Sequence, residues 1–90
     1  MKIEWDPRKA KANFRKHRVS FEEAATALSD PMAATGADPD HSDREDRYVT
    51  FGVSKKGRLL AVAHTEEDDV IRIISARTAS KGERELYEEE

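Results

Sequence analysis

Cysteine does not occur in this 90-residue chain, so neither disulfides nor thiolate metal sites can hold it together. Long apolar runs are missing as well. None approaches the roughly 20 residues of a membrane-spanning helix, and no signal-peptide pattern opens the sequence. A cytoplasmic protein with no membrane attachment is therefore expected. No linker, internal repeat or compositional break divides the chain, which predicts a single domain over residues 1–90. What is abundant is charge. Charged residues make up 39% of the chain against 37% hydrophobic, a heavily solvated surface around a modest core.

The net charge of −3 speaks against nucleic-acid binding, but its distribution is uneven. Residues 1–18 hold seven Lys/Arg against two acids, and residues 19–46 hold one against eight. Residues 47–65 hold four against none, and residues 66–90 four against nine. An acidic protein built this way can still present a basic face.

Residues 2–5 read as a short first strand. Asp6-Pro7 then opens a helix over residues 7–17: Asp6 caps it, and Pro7 takes the first helical position, where its missing N–H costs nothing. Ala10, Asn13, Phe14 and His17 recur at helical spacing as one stripe, with Lys9, Lys11, Arg15 and Lys16 on the other sides. Ser20-Phe21-Glu22-Glu23 has the form of a capping box, in which the Ser20 hydroxyl and the Glu23 carboxylate each satisfy an orphan N–H. Phe21, Ala24, Ala25 and Leu28 continue that second helix, and Asp30-Pro31 ends it. Residues 32–35 are expected as an edge strand and residues 36–46 as a loop. Three strands follow at 48–54, 58–65 and 70–76. A tight turn at Lys55-Lys56-Gly57, with a left-handed glycine, joins the first two, and a turn over 66–69 joins the last two. Ser80 can cap a last helix running to Tyr87. The fold class is α+β: strand, two helices, an antiparallel meander and a C-terminal helix, with the helices on one face of the sheet.

The apolar run 70–77 holds Arg72 inside a strand and Arg77 at its exit. A guanidinium cannot shed its proton, so Arg72 must face an anion. Either it pairs with an acid across the sheet, or both arginines clamp phosphate through paired N–H donors. His64, beside Leu60 and Val62 by alternation, is either a hydrogen-bonded core residue or a general acid or base. Hairpin register decides whether it meets Arg72. A three-residue turn would pair the two, whereas a four-residue turn would pair residue 64 with 71 and separate them. Tyr87 is either a core residue with its hydroxyl at the rim or a donor to phosphate. Arg58 suits an RNA-backbone contact or a charge blunting a sheet edge. Glu45 and Arg47, closest to the first meander strand, can project toward a site. Trp5 suits a core anchor better than a base-stacking platform. The acid-rich segment 38–47 lacks the glycine and terminal glutamate of a calcium loop, so a solvated loop is expected, with no metal and no cofactor.

Together these segments resemble the BrnT family of type II toxin ribonucleases, whose fold is similar to that of the RelE toxins. The likeness runs through Glu4-Trp5-Asp6, Lys9-Ala10, Asn13, Lys16-His17 and Val19-Ser20-Phe21-Glu22-Glu23-Ala24. It continues through Asp30-Pro31, Asp38-Pro39-Asp40-His41-Ser42, Glu45, Arg47, Gly52, Gly57-Arg58 and His64-Thr65, and ends with residues 72–77, Glu83 and Tyr87. One departure is Arg18, where the family typically has glycine; a left-handed backbone there would cost roughly 1 kcal/mol. The resemblance implies a small RelE-like domain and a metal-independent endoribonuclease that arrests growth. Its partner would be a BrnA-like antitoxin carrying the DNA-binding domain, so that operator DNA is reached only through the antitoxin. With RNA as substrate, Arg72 and Arg77 would take the phosphate and His64 or Glu45 would transfer protons. Tyr87 would donate, and Arg47 and Arg58 would position the backbone. The alternative is a non-catalytic binding module that only pairs with the antitoxin and co-represses the operon. A DNA-binding regulator is a third reading: the helix 7–17 is basic, but no recognition-helix pattern follows it.

Overall fold

The computed structural model describes residues 2–38 and 47–88. Its elements run β1 (Lys2–Trp5), α1 (Pro7–His17), α2 (Phe21–Leu28), β2 (Ala34–Ala37), β3 (Arg47–Val53), β4 (Leu59–Glu67), β5 (Val70–Thr78) and α3 (Lys81–Glu88). The strands form one five-stranded sheet in the order β1-β5-β4-β3-β2. β3, β4 and β5 are the expected antiparallel meander, and β2 adds antiparallel to β3. β1 closes the other edge in parallel with β5, placing Glu4 beside Arg72 and Trp5 beside Ile73. The class is α+β.

Local chemistry sets the helix ends. The Asp6 carboxylate accepts the Arg8 N–H at 2.8 Å, and Pro7 follows at the helix start. α1 stops at Arg18, which sits left-handed at φ 59°, ψ 32° and gives its N–H to the Phe14 carbonyl. This is the position where glycine would be at ease. The Ser20 hydroxyl accepts the Glu23 N–H at 3.0 Å, as a capping box requires. The Glu23 carboxylate does not complete the box; it turns instead to Ser54 and Arg58 at the β3–β4 turn. The reciprocal box forms at α3, where Ser80 Oγ accepts the Glu83 N–H at 3.2 Å and Glu83 accepts the Ser80 N–H at 2.8 Å.

The β2 strand begins two residues later than expected. The Asp30 side chain accepts the Met32 N–H at 2.9 Å and its carbonyl accepts the Ala33 N–H at 2.9 Å, so the turn consumes both residues. Strand β2 therefore extends into Ala37, within the stretch expected as loop.

α1 and α2 cover one face of the sheet. Between them lie Val19, Phe21, Ala24, Ala27, Leu60, Val62, Ile73 and Ala76, all buried. Trp5 meets Phe21 edge-on with ring centroids 6.0 Å apart, the core anchor that its sequence position suggested. α2 approaches β3 so closely at Gly52 that a Cβ there would collide with the Ala27 carbonyl oxygen. Asn13 pins α1 to β5. Its amide donates to the Val19 and Ala76 carbonyls at 3.0 and 2.8 Å and accepts the Ala76 N–H at 3.0 Å.

The expectation that every helix lies on one face fails for α3. Phe51 pairs with Ala34 and Ala61, one residue out of phase with Gly52, and so points away from α2. A hollow of about 480 Å³ lined by Phe51, Ala34, Leu86 and Tyr87 puts α3 on that second face. Arg77 leaves β5 on the same side, and its ion pair with Glu83 draws the first turn of α3 across. Among the described residues no helix is long and apolar enough to cross a membrane.

Candidate active site

The register of the β4–β5 hairpin distributes the functional side chains. Asp68 and Asp69 both adopt left-handed backbone, at φ 52° and 66°, so two residues suffice for the turn. Glu67 pairs with Val70, Thr65 with Arg72 and His64 with Ile73. Neither turn length weighed from the sequence applies, and His64 does not meet Arg72. A bulge follows, with Ala63 paired to Ser75, so that Ile74 is left over. Arg72 and Arg77 consequently share the face turned away from α1 and α2.

On that face Arg47, Thr65, Arg72 and Glu4 stand side by side across four strands. Arg77 lies farther along β5, opposite Ala61 where Arg72 is opposite Thr65, so that the rise of β4 between those partners separates the two arginines by roughly 13 Å. Arg72 donates to Glu4 at 2.7 Å, and both side chains are about half exposed, at 49% and 40%. Its other guanidinium nitrogens have no hydrogen-bond partner among the described residues. Arg47 Nε lies 3.9 Å from the Asp38 carboxylate and is buried without a hydrogen bond. Arg77 grips Glu83 through two nitrogens at 2.7 and 2.9 Å, which, with the Ser80 N–H, holds the Glu83 carboxyl down at about 2.

Three residues proposed from the sequence lie outside this row. His64 faces the helices at 1% exposure, with the sheet between it and the arginines. Its Nε2 shares a 2.7 Å hydrogen bond with Thr50, which shares another of 2.7 Å with Thr35, and its ring stacks on Tyr48. Burial pushes the imidazole pKa down, favouring the neutral ring. Arg58 is held by Glu23 and by the Arg18 carbonyl at 3.1 Å, while Ser54 donates to the same carboxylate at 2.7 Å. Those bonds hold the Glu23 carboxyl below its usual range, the Arg58 guanidinium contributing most. Tyr87 donates to Asp30 at 2.9 Å, and Asp30 also accepts the Val53 N–H at 2.8 Å. Glu45 lies outside the described residues. The structure thus gathers Arg47, Arg72 and Arg77 on one face, leaves His64 and Arg58 off it, and puts Tyr87 on the same side but bound to Asp30 beside β2 and β3, outside the row.

The carboxylate that sequence reasoning missed is Glu4. Its signal was alternation alone: it sits between Ile3 and Trp5, which turn toward the core. Finding it required the parallel pairing of β1 with β5. The row couples two permanent cations to a partly exposed proton acceptor, a pairing suited to a polyanion that must also lose a proton. No group of three His, Asp or Glu able to hold a metal occurs among the described residues.

A search of curated protein sequences gave no match. A solved structure did: the crystal structure of the Brucella abortus ribonuclease toxin BrnT is similar with a TM-score of 0.70 and 27% sequence identity. The match covers 90% of this chain and 99% of that one. The family model described as "Ribonuclease toxin, BrnT, of type II toxin-antitoxin system" matches residues 5–83, and this chain therefore belongs to the BrnT family of ribonuclease toxins.

Proposed function

We propose that the chain is an endoribonuclease that cuts RNA on the sheet face bearing Arg47, Thr65, Arg72 and Glu4, and that a BrnA-like antitoxin neutralises it. The observation that carries this reading is the half-exposed Arg72–Glu4 pair at the β1 end of the row. An ion pair this open to water stabilises the fold by only about 0–1 kcal/mol, so a phosphate diester can displace it. Glu4 then accepts the 2′-hydroxyl proton as the 2′-oxygen attacks the neighbouring phosphorus. The P–O5′ bond breaks and the departing 5′-oxygen takes a proton from water, leaving a 2′,3′-cyclic phosphate on one fragment and a 5′-hydroxyl on the other, while the proton on Glu4 returns to solvent. Arg72 meets the charge that builds on the phosphorane, and Arg47 and Arg77 hold flanking phosphates. Glu45, two residues before Arg47, is a second proton-transfer group. His64, Arg58 and Tyr87 serve this site by fixing the sheet and its turns. The nucleophile belongs to the substrate and guanidinium groups supply the positive charge, so the reaction needs no metal. The antitoxin supplies the contact with operator DNA, and both proteins act in the cytoplasm.

One observation favours a second reading. Arg77 is held by both oxygens of Glu83, as a purely structural arginine would be. On that reading the chain is a non-catalytic module that only pairs with the antitoxin. Purified protein incubated with an RNA oligonucleotide and EDTA separates the two. Cleavage to cyclic-phosphate ends is expected, falling roughly 10²–10⁴-fold in Glu4→Gln and by about 10²–10³-fold in Arg72→Ala, with circular dichroism unchanged. Intact RNA from folded wild-type protein would establish the module instead.

A further inference from the structure

We infer that the solvent face of α1 is a second RNA-contact surface, a phosphate track with a base-stacking platform at Phe14. The inference rests on the ribonuclease reading, yet it concerns the side of the molecule opposite the proposed reacting face. α1 contains no acidic residue, and Arg8, Lys9, Lys11, Arg15 and Lys16 are all exposed on it, with Arg18 just beyond.

These cations differ from the arginines of the sheet and its turns. Arg47, Arg58, Arg72 and Arg77 each face a carboxylate. On α1 only Arg8 approaches one, 3.9 Å from Asp6, and Lys9, Lys11, Arg15 and Lys16 have no ion-pair partner among the described residues. Part of the arrangement works against the helix that carries it, although Arg15 and Lys16 in the last turn suit the dipole. Arg8 and Lys9 sit at the positive end of the helix dipole, and Lys11 and Arg15 repel each other one turn apart. Among the described residues only Asp6 answers Arg8 and Lys9, and no carboxylate meets Lys11, Arg15 or Lys16.

An aromatic ring stands among the cations. Phe14 is 45% exposed although it occupies the apolar stripe, and the Arg18 guanidinium lies 5.8 Å from its ring centroid. Beside it is a hollow of about 390 Å³ whose walls include Trp5, Ala10, Lys11 and Ser20, with Glu22 at one side. The hollow is apolar enough for a nucleobase, and Glu22 repels a phosphate that would enter it. Cations alternating with an exposed ring and a stacked guanidinium fit single-stranded RNA, whose bases stack while its phosphates follow the charges. An acidic peptide would use the cations but leave the ring and the hollow without a role. A strand engaged on both surfaces must pass around the β1 edge, so affinity should rise with RNA length beyond the few nucleotides the reacting face can hold.

The test uses the full chain and a fluorescent single-stranded RNA of about 20 nucleotides, 2′-O-methylated throughout so that no 2′-oxygen can attack. Binding is read by anisotropy across a salt series. The quadruple variant Lys9→Gln, Lys11→Gln, Arg15→Gln, Lys16→Gln should bind at least tenfold more weakly. Its log–log salt slope should flatten by about 3, near 0.7 for each single-strand phosphate that the variant no longer neutralises. Phe14→Ala should weaken binding about tenfold, the scale of one missing base stack, with the slope unchanged. If the quadruple variant does not fold, Lys9→Gln with Lys16→Gln should show about half of that flattening. Unaltered affinity and slope would overturn the inference, and so would a quadruple variant that loses only antitoxin binding. Cleavage measured in parallel keeps the two ideas apart. Bound but uncut RNA, for unmodified substrate, refutes the ribonuclease reading alone; cut RNA with α1-independent binding refutes this inference alone.

Discussion

Arg18 shows how far a single residue can be read. Its place after a helix-ending histidine, where the family typically has glycine, raised the expectation of a strained backbone, and it adopts φ 59°. The carbonyl of Arg18 serves Arg58, and a glycine would keep that bond. Arg18→Gly is therefore expected to raise stability by about 0.5–1 kcal/mol, the usual relief when a left-handed residue loses its Cβ. Thermal unfolding would record this as a rise of several degrees in Tm; an unchanged or lower Tm would mean that the Arg18–Phe14 contact outweighs the strain. Asn13 was legible only as one position of a stripe. Its role as a three-bond pin depends on Val19 and on Ala76 of β5 both coming within reach of α1, which no local pattern encodes. His64 was ambiguous for a related reason. Two aspartates tolerate left-handed backbone here, the turn closes with two residues, and one position of register moves the ring to the covered face.

At the scale of elements, both N-terminal helices and the meander were legible because capping residues and alternation are local signals. The partner of each cap was not. Glu23, 5% exposed, joins α2 to the β3–β4 turn through Arg58 and Ser54 rather than closing its own helix. Arg58 accordingly reads as a brace between helix and hairpin. Arg58→Ala leaves a buried carboxylate with only Ser54, and breaking a fully buried pair costs about 3–5 kcal/mol. The Arg58 side chain is 36% exposed, so water offsets part of this loss and roughly 2 kcal/mol is expected. Urea unfolding would show the loss. Retained stability with weakened RNA binding would return Arg58 to the substrate surface.

For the whole molecule, burial and pairing together set the response to acid. The His64 ring is held below its ordinary pKa of 6.5 chiefly by burial. The unfolded chain therefore binds a proton that the folded chain resists, and stability that is complete above pH 6.5 declines as pH falls below it. Glu23 and Glu83 follow. Their folded pKa values lie below the ordinary 4.5, so their contribution is full above 4.5 and is lost below it, continuing to about pH 2 for Glu83. Two successive windows of acid weakening result, the first belonging to the core and the second to the braces of α2 and α3. Urea midpoints measured from pH 8 to 3 should be level above 6.5 and fall in both windows. In His64→Gln, which can keep a hydrogen bond to Thr50 without titrating, the fall between 6.5 and 4.5 should vanish while the lower one remains. Identical profiles for the two proteins would show that water reaches the imidazole freely, and the buried position that removes His64 from the reacting face would then be wrong.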